Sequence, residues 1–320
     1  RRRRCYCNPI IPINMQKISF RAMGCQMMAA LDNPSARAQN RLDRVPEWFD
    51  VWEQSLSRFR QDSELSKLNQ SMGMMQTVSP VLWDVFLLSL EVAGRSSGLI
   101  NPLVLDALLQ AGYSQSFEKM KPSGNGNHST PRSPIPTVDG LHWDASSRAI
   151  QLAPNTHLDF GGIAKGWAAQ TAMNKLKIYA PSLVDAGGDI AISGWRADGK
   201  PWLIAIADPR QPGEQLGMLQ VGRCGIATSG TDYRRWKTGS DWQHHIIDPR
   251  SGKPAETDVL SVTAVAPTVI EAEMAAKVVL ISGSQHGLEW LDKQPLIEGL
   301  VVLEDGSILE SQKFKQYRLE

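Results

Sequence analysis

Several segments of the chain place ionisable side chains beside glycines or at the start of a helix. The first is Leu158-Asp159-Phe160-Gly161-Gly162-Ile163-Ala164-Lys165-Gly166. An acid at a strand end runs into a Gly-Gly turn, and a helix then opens with a lysine in its first turn. Glycines let backbone groups approach a ligand closely. A helix start offers unpaired N–H groups to an anion. Lysine there runs against the helix dipole, which suggests a second role such as holding phosphate. The segment is neither a Walker A loop nor a Gly-x-Gly-x-x-Gly turn, and a tight turn with a surface lysine also fits it. A second turn, Asp185-Ala186-Gly187-Gly188-Asp189, sets two acids around Gly-Gly; an ordinary β-turn also explains it. The third region carries His244-His245-Ile246-Ile247-Asp248-Pro249. Adjacent residues of a strand point to opposite faces, which argues against a metal-binding histidine pair. The fourth is Pro267-Thr268 opening a helix that holds Glu273 and Lys277 four residues apart on one face. Such a pair is commonly an exposed ion pair worth about 0.2–0.5 kcal/mol. The alanines and valines around it favour a cleft instead.

The elements that must position these residues alternate along the chain. Ile18–Met23 and Met27–Leu31 read as strands around Gly24, and Arg37–Leu56 reads as an amphipathic helix in which Pro46 marks a kink or a late helix start. Asp62 or Ser63 caps a short helix, and Pro80–Arg95 is a further amphipathic helix. Residues 121–136 form a Pro/Gly/Ser/Asn-rich surface loop, expected to be mobile. A helix is expected over Lys165–Leu176, and strands near Ser182–Asp185, Ala191–Ser193, Trp202–Asp208, Leu216–Val221, Gly225–Ser229, His244–Ile247 and Ser261–Ala266. After the helix Val269–Leu280, a hairpin turns across Asp305-Gly306. This mixture predicts an α+β fold with largely antiparallel sheet. There is no internal repeat.

Composition narrows the function classes. The chain has 320 residues, 34 Lys plus Arg against 33 Asp plus Glu, and a net charge of +1, so it carries no general footprint for nucleic acid. No apolar run is long enough to span a membrane, and the 4 cysteines build no disulfide framework. Arg1–Arg4 is the local charge anomaly. The stretch after it is short and broken by prolines, unlike a signal peptide. Residues 1–14 are therefore expected to be a disordered leader, residues 15–320 a single domain, and the protein cytoplasmic.

Taken in order, these segments resemble the ApbE family, the FAD:protein FMN transferases. The resemblance is carried by Met23-Gly24-Cys25, Leu56-Ser57-Arg58-Phe59, Ser63-Glu64, Leu68-Asn69, Gly98–Pro102, Leu158–Gly166, Asp185–Asp189, Ala227-Thr228-Ser229-Gly230, His244–Gly252 and the Pro267–Lys277 helix. It implies an ApbE-like α+β fold, with FAD bound in a cleft between two halves and Mg²⁺ at the pyrophosphate. The implied reaction moves FMN from FAD to a Thr or Ser hydroxyl of a target flavoprotein and releases AMP. By motif position, Met23, Phe59, Asp159, Lys165 and Ile247 match flavin-contacting residues, with Phe59 where tyrosine is frequent. Asn101, before Pro102, stands at a cofactor-binding position where the family more often has Asp, and Gln170 replaces another frequent Asp. Gly162 matches a metal-binding carbonyl, and His245 a histidine needed for transfer. The family's metal helix usually reads Ala-Asp-x-x-Ala-Thr; here Glu273 and Lys277 stand at the Asp and Thr ligand positions. A protonated lysine cannot bind metal, so weak or altered metal dependence is expected. Two other readings share these residues: an FAD pyrophosphatase, and a non-enzymatic FAD-binding protein.

Overall fold

The computed structural model describes residues 7–12, 15–120, 133–211, 213–238 and 241–319. The chain forms two compact units, each discontinuous in sequence: 1–49 with 165–233 and 257–320, and 50–164 with 234–256.

The first unit is built on an eight-stranded sheet. From one edge its strands are Ile308–Glu310, Glu298–Leu303, Val259–Ala266, Cys224–Gly230, Ile190–Ile192, Ser182–Ala186, Cys25–Leu31 and Gln16–Ala22. Every pairing among the described strands is antiparallel. Burial follows position in the sheet. The edge strand Gln16–Ala22 alternates between half-buried and exposed residues, whereas Ser182–Ala186 and Ile190–Ile192 are buried throughout. Central strands covered on both faces bury every position, so their sequence loses the period of two.

A three-stranded sheet of Cys7–Ile10, Trp202–Ala207 and Gln215–Val221 shares a core with the large one. Trp202, Ile204, Ile206, Leu219 and Val221 pack there with Ile190, Ile226, Val265 and Phe314. Part of the expected leader is thus structured: Cys7–Ile10 pairs with Leu203–Ile206, and Cys7 is fully buried. Pro9 is tolerated because this strand lies at a sheet edge. Arg1–Arg4 and residues 121–132 of the loop at 121–136 lie outside the described residues. No helix among the described residues is long and apolar enough to cross a membrane.

The helix Val269–Ser282 packs against the strands Cys224–Gly230 and Val259–Ala266. It starts at a capping box, in which Thr268 and Glu271 satisfy each other's backbone N–H groups. Gly225 permits the approach: a Cβ there would stand 2.0 Å from the Val269 nitrogen.

The second unit holds the helices Glu64–Asn69, Pro80–Arg95 and Leu105–Gln110 and three small antiparallel sheets. Its segment 234–256 joins the rest through a cluster of Trp236 and Ile247 with Ala107, Leu108, Ala111 and Tyr113. Ser63 is the observed cap of the short helix, accepting from the Ser66 amide at 3.0 Å.

Two expectations about elements change. The single helix over 37–56 is two, Ala36–Leu42 and Val45–Leu56. Proline lacks an N–H and clashes with the preceding turn, so the chain breaks just before Pro46 and restarts with it in the first turn. The expected strand His244–Ile247 is also interrupted: one strand ends at His244, His245 lies in a bend, and a two-residue strand follows at Ile247–Asp248.

Candidate active site

Within the first unit, Lys165, the Asp185–Asp189 turn and the Glu273 helix meet. Lys165 lies in the first turn of the helix Ala164–Leu176 and bonds Asp189 through its ammonium. The same nitrogen stands 3.6 Å from Oε1 of Glu273. Lys277 donates to that oxygen at 2.9 Å, and the Gly166 amide donates to Oε2 at 3.3 Å. A Cβ at 166 would stand 2.5 Å from Oε2, so any larger residue there would displace the carboxylate. Burial pushes the Glu273 carboxyl above the usual carboxylate range; Lys277 pulls it back, the Asp189 charge pushes it up, and Lys165 pulls it back again.

Asp185 is the other acid of that turn. Its Oδ1 accepts the Gly188 amide at 2.7 Å. Burial raises its carboxyl to about 7 against the pull of that hydrogen bond, with Asp189 adding to the rise and Lys165 opposing it. Gly187 and Gly188, with φ of 72° and 102°, make the turn that aims Asp189 at Lys165. Gln170 acts locally, its Oε1 accepting the Val269 amide at 3.4 Å at the start of the Glu273 helix.

Met23 occupies the two-residue turn between Gln16–Ala22 and Cys25–Leu31. Its φ is 47° and that of Gly24 is 70°. Both central residues of such a hairpin turn take positive φ, which a residue with a Cβ adopts at a cost. Keeping methionine there is consistent with a role for its side chain.

Within the second unit, Asp159 and Phe59 are joined by Arg58, a residue of the Leu56–Phe59 motif to which the sequence assigns no role. Its Nε donates to Asp159 Oδ2 at 2.6 Å. Its guanidinium lies 4.0 Å from the center of the Phe59 ring and 4.7 Å from that of Tyr113. Tyr113 stacks on Trp236 at 5.2 Å and meets the His245 ring edge-on at 6.5 Å. The structure therefore gathers Phe59, Asp159 and His245 around Arg58 and Tyr113. Tyr113 and Trp236 have no local sequence signal, because only the packing of 234–256 on Leu105–Gln110 joins them.

The other motif residues of this unit hold its loops. Asn69 donates to the Leu158 carbonyl at 2.9 Å and accepts the Leu158 amide at 2.8 Å, which fixes the residue before Asp159. The Gly161 amide donates to Asp159 Oδ1 at 2.7 Å, and a Cβ at 161 would stand 2.8 Å from that oxygen. Gly162 follows, half-buried in the same turn. Glu64 accepts both the amide and the hydroxyl of Ser79, at 2.5 Å each. Asn101 spends both ends of its amide internally, accepting the Leu103 amide at 2.9 Å and donating to the Pro136 carbonyl at 3.0 Å. An aspartate could not make the second bond. Ile247 is buried in the cluster with Trp236.

The two histidines separate in role. The Nε2 of His244 lies 3.0 Å from the Ala255 carbonyl, and its Nδ1 accepts the Ile246 amide at 3.3 Å. That pattern sets Nε2 as the protonated nitrogen of a neutral ring. Burial lowers its pKa, the bond to Ala255 opposes this, and Arg235 adds to the fall. His244 is a structural residue, and His245 remains as the candidate for chemistry.

Among the described residues, no group of three or more His, Cys, Asp or Glu side chains is arranged to hold a metal ion. Glu273 does not fit the part of a metal ligand. One oxygen is taken by Lys277, with Lys165 close by, and the other accepts the Gly166 amide.

An antiparallel α+β scaffold that seats Lys165 and Lys277 on the buried Glu273, beside an acid-flanked Gly-Gly turn, defines a recognisable class. The ApbE family profile matches residues 23–301, and the chain belongs to the ApbE family. The FAD:protein FMN transferase of Escherichia coli K12 is 24% identical, with 93% of this chain and 87% of that protein covered. The FAD:protein FMN transferase of Treponema pallidum is 28% identical, over 90% of this chain and 83% of that one. The fold is that of the ApbE protein from Thermotoga maritima, with a TM-score of 0.85 at 23% identity, covering 96% of this chain and 100% of that one. The flavin transferase ApbE from Vibrio cholerae gives a TM-score of 0.77 at 24% identity, covering 95% and 99%.

Proposed function

We propose that this chain is an FAD:protein FMN transferase that moves FMN from FAD to a Thr or Ser hydroxyl of a target flavoprotein. The observation that carries this reading is the pair of ammonium groups, Lys165 and Lys277, converging on Glu273 at 3.6 and 2.9 Å beside a helix start. Such a pair suits a pyrophosphate. The names of the relatives and the family match support the same reading.

In the proposed reaction the acceptor oxygen bonds to the flavin-side phosphorus. The bond from that phosphorus to the bridging oxygen breaks, and AMP leaves with the bridging oxygen. Phosphoryl transfer of this kind needs positioning and charge stabilisation more than covalent help. Lys165 and Lys277 neutralise the pyrophosphate. Asp159, an acceptor of hydrogen bonds held by Arg58 and the Gly161 amide, orients an N–H donor of the ligand. Phe59, a residue 42% exposed, offers it an aromatic face. Met23, Asn101 and Ile247 shape the remainder. His245, edge-on to Tyr113, takes the hydroxyl proton and passes it to water. Glu273, held by Lys277 and the Gly166 amide, does not fit a divalent ion.

The test is incubation with FAD and a Ser/Thr-bearing flavoprotein, read by mass spectrometry. Covalent FMN on the acceptor, lost in His245→Ala with FAD binding retained, is the expected result. Release of free FMN and AMP with no adduct would make the chain a pyrophosphatase. Bound FAD without turnover would make it a flavin-binding protein.

A further inference from the structure

The cluster around Glu273 is layered, and the order of the layers is informative. The acids lie inside: the side chains of Glu273 and Asp189 are 2% and 5% exposed. The ammonium-bearing side chains lie outside them, Lys165 and Lys277 at 16% each. A site that takes a divalent cation presents oxygen to the opening and leaves room for bound water, since Mg²⁺ keeps several waters in a strict octahedron. This cluster does the reverse. The oxygens of Glu273 are taken up, one by an amide and one by ammonium groups, and the two lysines are the more exposed members of the cluster. A dication entering here would face two ammonium groups, with both oxygens of Glu273 already engaged. An anion would meet both lysines with their counter-charges already behind them. Both nitrogens lie within 3.6 Å of one carboxylate oxygen, close enough for one pyrophosphate to reach the two.

We propose that the ammonium groups of Lys165 and Lys277, seated on Glu273 and Asp189, are the built-in cation of this protein, so that FAD binds and FMN is transferred with no divalent ion at Glu273. The inference rests on the flavin reading above. The bonds made and broken are those already written. Only the source of positive charge at the pyrophosphate changes, and no further reactant is needed.

Two measurements test it on the full chain. In the first, Mn²⁺ is titrated and followed by electron paramagnetic resonance, with and without FAD. The free-ion signal is expected to be unchanged by the protein. Stoichiometric Mn²⁺ binding that disappears in Glu273→Gln overturns the proposal. In the second, FAD affinity is read by flavin fluorescence in EDTA and in excess Mg²⁺. Wild type is expected to agree within about twofold between the two, Lys277→Arg to keep most of the affinity, and Lys277→Met to lose about tenfold or more in EDTA. FAD binding that requires Mg²⁺, or a folded Lys277→Met that binds FAD normally in EDTA, overturns it. Should Lys277→Met not fold, the paired Glu273→Gln/Lys277→Met variant, which removes a charge of each sign, takes its place with the same expected loss. Failure of the wild type to bind FAD with or without Mg²⁺ would instead remove the flavin reading, while the Mn²⁺ titration would still decide whether a divalent ion binds.

Discussion

Replacing Arg58 by methionine isolates the interaction that holds Asp159. The side chains of Arg58 and Asp159 are 6% and 8% exposed, and the Nε to Oδ2 distance is 2.6 Å. Methionine keeps the length and the apolar stem but strands a carboxylate that then has the Gly161 amide alone among its described partners. Breaking a buried pair from one side costs about 3–5 kcal/mol. The guanidinium also leaves the faces of Phe59 and Tyr113, at 4.0 and 4.7 Å, which adds about 0.5–2 kcal/mol. Asp159→Asn, from the other side, leaves the guanidinium buried, with an Nη2 that already has no hydrogen-bond partner among the described residues. The double variant removes both charges and is expected to cost less than the two single changes together, by about 2–3 kcal/mol. Urea unfolding followed by tryptophan fluorescence reads all four proteins, Trp236 reporting from the ring stacked on Tyr113. Additivity of the single changes within about 0.5 kcal/mol would refute the claim that this pair is a coupled buried unit.

Three other outcomes are expected. The Asp185 carboxyl sits at about 7 when folded, above its unfolded value near 4. The unfolded chain therefore holds fewer protons between those values, and stability from this residue falls as pH rises from about 4 to about 7, by on the order of 4 kcal/mol; Asp185→Asn should flatten that slope in denaturation measured across the range. Cys7 and Cys224 are buried, with thiols pushed up to about 12, so iodoacetamide at pH 8 should spare both while reaching half-buried Cys25 first among the three cysteines of the described residues, as peptide mass mapping would show; early labelling of Cys7 would contradict the edge strand Cys7–Ile10. Gly225→Ala drives a methyl group into the backbone of Thr268 and Val269, at 2.1 and 2.0 Å, and is expected to lower stability by about 3 kcal/mol or more, read by thermal melting, because backbone at a capped helix start cannot step aside like a flexible side chain.

Much of the scaffold is legible along the chain. Segments with one buried face announce themselves by period, as the edge strand Gln16–Ala22 and the helix Pro80–Arg95 do. The sequence misleads where two signals compete. An apolar spacing carries the helix pattern straight through Asp43-Arg44, although Pro46 requires a restart. At His244-His245 an alternation argument assumes a strand that stops one residue early. The segment Cys7–Ile10 resembles a leader because a short strand containing proline looks like no strand at all until an edge is available to receive it.

The sequence by itself determined which chemistry was present: a lysine at a helix start after Gly-Gly, an acid before it, a histidine beside a turn, and Glu273 and Lys277 on one helix face. Local spacing decides such things, because residues four apart on a helix must be neighbours. It could not determine what those groups do to one another. That Lys165 shares Glu273 with Lys277, that Gly166 closes the remaining oxygen, and that Arg58 binds Asp159 between two rings are long-range contacts set by packing. Burial then fixes their meaning. An exposed Glu–Lys pair is a minor surface feature, whereas the same pair with its carboxylate out of water holds its ammonium in one fixed place.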